Sequence, residues 1–104
     1  MTRLEQVQSR IQACTPESIE VAAYCQTKAQ VRGVDLAQAK YNLIHRQDGQ
    51  WAFSAHSGIP GARITVDFRV SRKKVHRYIL EANDAIYLIN VIVIYGKQLK
   101  RHEP

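Results

Sequence analysis

The chain has 104 residues, with 15 Lys and Arg against 9 Asp and Glu, a formal net charge of +6 and 45% apolar residues. That is the size of one domain with one modest core, and the apolar share excludes a disordered chain. No apolar run reaches the ~20 residues that cross a bilayer, and the N-terminus, "MTRLEQVQSR", has no signal-peptide core, so a cytoplasmic protein is expected.

The charge is uneven: residues 1–52 are close to balanced at +1, and residues 53–104 carry +5. An excess of this kind favours a polyanionic partner, because each phosphate that is neutralised releases counterions. Cys14 and Cys25 are the only thiols, and with neither a CxxC pair nor a Cys/His cluster no zinc site is expected.

The first 46 residues read as helical. "TRLE" at Thr2–Glu5 has capping-box spacing, and Leu4, Val7, Ile11 and Cys14 follow at helical intervals. Thr15 and Pro16 suit the cap and first position of a second helix with Ile19, Ala22, Ala23 and Ala29 inward, and Gly33 ends it. Asp35 caps a third helix with Leu36, Ala39, Leu43 and Ile44 inward.

After the Asp48–Gly49 turn the period becomes two. "QWAFSA" is a short strand, "HSGIPG" a loop, "RITVDFRV" and "VHRYILE" two strands, and "AIYLINVIVIY" a long apolar strand of a covered sheet. The expected fold is α+β: three N-terminal helices, then an antiparallel sheet of about four strands over residues 50–98, then a charged tail, 99–104, all in one domain.

Register decides where "RVSRKKVHRY" points. A turn at Arg72–Lys73 sets Val70 opposite Val75 and Arg69 opposite His76, and a turn at Asn83–Asp84 sets Tyr78 opposite Ile89. Arg63, Asp67, Arg69, His76, Tyr78, Tyr87 and Tyr95 then share an uncovered face, a surface of cations and rings suited to RNA. Such a face is equipped for cleavage by the RNA's own 2′-hydroxyl, which needs no metal or cofactor. His76 is the expected base or acid and Arg69 the phosphate-stabilising cation, assisted by Tyr78 and Lys97; Arg63, Arg72, Lys73, Lys74, Tyr87 and Gln98 are the expected RNA contacts. His45 and His56 lie near turns, and His102 lies in the tail.

The stretch "YILEANDAIYLINVIVIYGKQLKR", Tyr78 to Arg101, resembles the closing hairpin of the RelE and ParE superfamily of small bacterial toxins, two hydrophobic strands followed by basic or aromatic residues. "TRLEQVQSRI" and "GVDLAQAKYNLI" resemble the helical start of the MqsR toxins of the same broad group. The resemblance covers about half the chain and implies an mRNA endonuclease paired with an antitoxin protein, with Tyr78, Lys97 and Gln98 as the residues that match the family's sheet-borne site by position. The chain departs from RelE in having no expected strand before its helices, and ParE relatives share the fold without cleaving RNA.

Two other readings fit the same residues. In a winged helix-turn-helix, "DLAQAKYNLIHR" is the recognition helix, offering Gln38, Lys40, Asn42 and Arg46 to DNA. In an immunity or adaptor domain, the strand Ala85–Tyr95 builds a homodimer or pairs with a partner strand.

Overall fold

The structure is a computed structural model that describes residues 2–54 and 63–96. Its element order is α1 (Arg3–Gln12), a 3₁₀ turn (Pro16–Ser18), β1 (Ile19–Val21), α2 (Ala23–Arg32), α3 (Leu36–His45), β2 (Gln50–Phe53), β3 (Arg63–Ser71), β4 (Lys74–Ala82) and β5 (Ile86–Tyr95). The fold is α+β, with a mixed five-stranded sheet in the order β1-β5-β4-β3-β2.

The helix ends follow from local chemistry. Thr2 Oγ1 accepts from the Glu5 amide at 3.1 Å and Glu5 Oε1 accepts from the Thr2 amide at 3.3 Å, so two otherwise unpaired groups of α1 are satisfied. Asp35 Oδ1 accepts from the amides of Ala37 and Gln38 at the start of α3. Gly33 closes α2 at φ 68°, a left-handed position that a Cβ disfavours.

The second helix expected from Pro16 is not continuous. Pro16 enters a single 3₁₀ turn, and Ile19–Val21 leaves it as a strand that runs parallel to β5, with Ile19 opposite Ile86 and Val21 opposite Leu88. Two β-branched residues in three favour extended backbone, and the edge of β5 supplies the ladder. The sheet is therefore mixed rather than purely antiparallel, has five strands rather than four, and places one strand ahead of α2.

Both long hairpins carry a one-residue irregularity. Ser71 pairs with Lys74 around the expected two-residue turn, but the register shifts at Val70, so Arg69 faces Val75 and Phe68 faces His76. In β4–β5 the connection is one residue longer than expected, with Ala82 opposite Ile86, and a second shift near Ile89 brings Tyr78 opposite Val91. A bulge sends the side chains beyond it to the other face relative to the partner strand.

One face of the sheet is thereby defined by Ile64, Val66, Phe68, Tyr78, Leu80, Ile86, Leu88 and Val91, which form the core with Ile11, Cys25, Ala29, Ala39 and Leu43 of the helices. The other face carries Arg63, Thr65, Asp67, Arg69, Val75, Arg77, Ile79, Glu81, Tyr87 and Ile92. Val75, Ile79 and Ile92 also lie on this second face, outside the core.

Candidate nucleic-acid interface

The flanking strands are short. β2 pairs with β3 only as far as Asp67, and β1 pairs with β5 only as far as Leu88. The far ends of β3 and β5, with the start of β4 between them, project beyond their neighbours as a three-stranded tongue tipped by Arg72 and Lys73. An arginine from a helix end braces each side of it. Arg46, the C-cap of α3, donates to the Arg69 carbonyl at 3.1 Å, and Arg32, the last residue of α2, donates to the Val91 carbonyl.

The tongue is basic. Arg46, Arg69, Arg72, Lys73, Lys74 and Arg77 stand there against Asp48 and Asp67, and both carboxylates are engaged. Asp48 pairs with Arg46, and Asp67 takes a two-pronged bond from Arg77 at 2.8 and 2.9 Å. The bonds to Asp48 and Asp67 hold both arginines firmly in their charged form. Arg72 and Lys73 are exposed, and Arg69 donates to the Arg72 carbonyl at 3.1 Å, which stiffens the turn. On the core side of the tongue, the Lys74 ammonium lies 5.7 Å from the ring of Tyr95, and that ring is 57% exposed.

His76 sits just inside this end. It is half-buried, with its ring edge toward Tyr78 at 6.2 Å, and burial and then the charge of Lys74 push its pKa below the ordinary 6.5.

Among the described residues the expected catalytic group does not assemble. His76 and Tyr78 point to the helix-covered side and Arg69 to the other, because of the bulge at Val70. Tyr78 is only 1% exposed; its hydroxyl accepts from the amide of Asn42 at 3.2 Å, and burial raises its pKa. Asp67 is committed to Arg77, and Arg63 lies 3.6 Å from Glu81. Tyr87 belongs to the opposite end of the sheet among Glu20, Glu81 and Asp84, where a hydrogen bond with Glu20 and the nearby carboxylates raise its pKa. Those surroundings repel phosphate. Of the residues expected to contact RNA, the structure brings Arg72, Lys73 and Lys74 together at the end of the tongue, with Lys74 on the face opposite Arg69. Lys97, Gln98, His56 and His102 lie outside the described residues.

The residues expected of a recognition helix are also engaged. Asn42 is buried against Tyr78, Lys40 donates to the Pro16 carbonyl at 2.9 Å, and Gln38 donates to Asn42 at 2.9 Å. Tyr95 is the tongue residue that sequence reasoning misplaced; the longer β4–β5 connection and the bulge near Ile89 together put it beside Lys74 on the core side.

A concavity of about 450 Å³ lies between the 3₁₀ turn and α3, with Val21, Leu36, Lys40, Tyr41 and His45 among its lining residues. No group of three His, Cys, Asp or Glu residues able to hold a metal occurs among the described residues. No described helix is long and apolar enough to cross a membrane. No protein-family model, curated protein or solved structure matches the chain.

Proposed function

We propose that this chain is a small RNA-binding protein that grips single-stranded RNA with the basic tongue formed by β3, β4 and β5. The observation that carries the reading is the pairing of an exposed ring, Tyr95, with Lys74 on one face of the tongue, next to the exposed tip residues Arg72 and Lys73. Cations take the phosphates and the ring takes an unstacked base, and a single strand offers both at once. The reading is one of binding rather than cleavage. Cleavage through the 2′-hydroxyl needs an acid or base and a cation around one phosphate, and His76 and Arg69 are separated by the thickness of the sheet.

The test is a titration of a labelled single-stranded RNA at several salt concentrations. The double variant Arg72→Glu, Lys73→Glu is expected to bind far more weakly and to flatten the salt dependence by about 1.4 in the log–log slope, since each lost phosphate contact removes about 0.7. Equal binding by the variant, or no binding by the parent, overturns the proposal. RNA ends bearing 2′,3′-cyclic phosphate would overturn the non-cleaving part of it.

A further inference from the structure

The open edge of β5 adjoins the tongue at Tyr95 but follows a different logic. β1 ends at Val21, and the last bond along that seam runs from the Ala22 amide to the Leu88 carbonyl at 3.0 Å. From there to Tyr95, β5 has no strand on that side among the described residues. In an antiparallel ladder, alternate residues turn both backbone groups away from their partner strand. Val91 is one of these: its carbonyl accepts from Arg32, and its amide donates to the side chain of Asn90 at 2.9 Å. Val93, two residues on, turns its amide and carbonyl the same way, into a groove of about 410 Å³ lined by Val31, Arg32, Ile92, Val93 and Tyr95.

Side chains therefore stand in at Val91 for the strand that β1 does not supply. Arg32 has a second peculiarity. Its guanidinium also donates to Asn90 Oδ1 at 3.3 Å, yet no carboxylate pairs with it among the described residues, whereas Arg46, which braces the other side of the tongue, is held by Asp48. The groove is lined by an unmatched cation, exposed Val31 and Tyr95, and no acidic residue.

We propose that the β5 edge binds an extended acidic segment of a partner protein, which adds as a strand along Val91–Tyr95. The incoming amide takes the Val91 carbonyl, and the displaced guanidinium of Arg32 pairs with a carboxylate of the segment. Backbone bonds set the register, and apolar side chains of the segment lie on Val31 and Tyr95. A second copy of this chain is the poorer occupant. Antiparallel pairing of two β5 edges about Val93 sets Val91 of one copy opposite Tyr95 of the other and so brings Arg32 toward the other copy's Lys74, in two chains that each carry +6.

The experiment uses the full chain and a labelled peptide of alternating Glu and Val, followed by fluorescence anisotropy and by amide exchange. Binding is expected, with the Val93 amide newly protected and those of Arg72 and Lys73 unchanged. The same peptide N-methylated at the residues that face β5 is expected to lose at least about tenfold in affinity, because it keeps its charges and loses its edge bonds. Val93→Pro removes an outward amide without breaking a bond to β4 and is expected to weaken binding similarly. Equal binding of the N-methylated peptide, protection at Arg72 and Lys73 in place of Val93, or RNA protecting Val93 would overturn the proposal. So would a dimer that seals the edge in sizing experiments. None of these results depends on whether the Arg72/Lys73 variant binds RNA.

Discussion

The side-chain amide of Asn42, on α3, donates to the hydroxyl of Tyr78, on β4, inside the layer where helices meet sheet. Asn42 in turn accepts from Gln38, so a short polar chain runs from the surface of α3 into an otherwise apolar core. A buried amide deprived of its partner bears the full cost of having left water. Tyr78→Phe is therefore expected to lose about 1–2 kcal/mol in urea unfolding while RNA binding by the folded protein is unchanged. A loss of RNA affinity without a loss of stability would give Tyr78 a part in binding that its burial denies it.

Gly49 offers a test of packing at the base of the tongue. A Cβ placed there would meet the Phe68 ring at 2.7 Å, and that ring is fully buried with the Arg46 guanidinium stacked on it at 5.0 Å. The ring has no free direction in which to retreat. Gly49→Ala is expected to destabilise the fold by about 1–3 kcal/mol, the usual cost of overpacking. An unchanged urea midpoint would mean that the turn preceding β2 yields more readily than the packing indicates.

His76 sets a pH dependence with a definite sign. Burial and Lys74 lower its pKa in the folded state below the 6.5 of an exposed histidine, so between these values the unfolded chain binds the extra proton. Its neutral form contributes fully to stability above pH 6.5, and that contribution is lost as the pH falls from 6.5 through the folded-state value. His76→Gln is expected to flatten the pH profile of stability in that window, and Lys74→Ala to move the titration of His76 upward when followed by NMR. A His76 titration at or above the ordinary value would contradict the desolvated placement.

Much of the helical layer is legible in the chain because its signals are local. Thr2 with Glu5, Asp35 and Gly33 each act within a few residues of themselves, and each does what its side chain or lack of one dictates. The order of β2 to β5 is legible for the same reason, through alternation and turns. The faces of the sheet are not. The expected turn at Arg72–Lys73 is present, yet one extra residue at Val70 sends Arg69 and His76 to opposite sides. Neither Val70 nor Ile89 is a glycine or proline that would mark a bulge, and each shift is fixed by pairing and packing across the sheet. β1 is hidden for another reason: three residues are too few to display a period, and the strand exists through its contact with β5. The candidate site suffered accordingly. The basic hairpin tip could be found from its composition, whereas the partnership of Lys74 with Tyr95 depends on a register that composition does not encode.

The parallel seam between β1 and β5 also shapes how the chain reaches this state. Ile19 meets Ile86 across most of the chain's length, whereas β2 to β5 join their neighbours through nearby segments. Closing so long a loop costs entropy before any contact repays it. The antiparallel hairpins are therefore expected to assemble before the seam closes. Ile19→Ala is accordingly expected to quicken unfolding while leaving the rate of refolding almost unaltered.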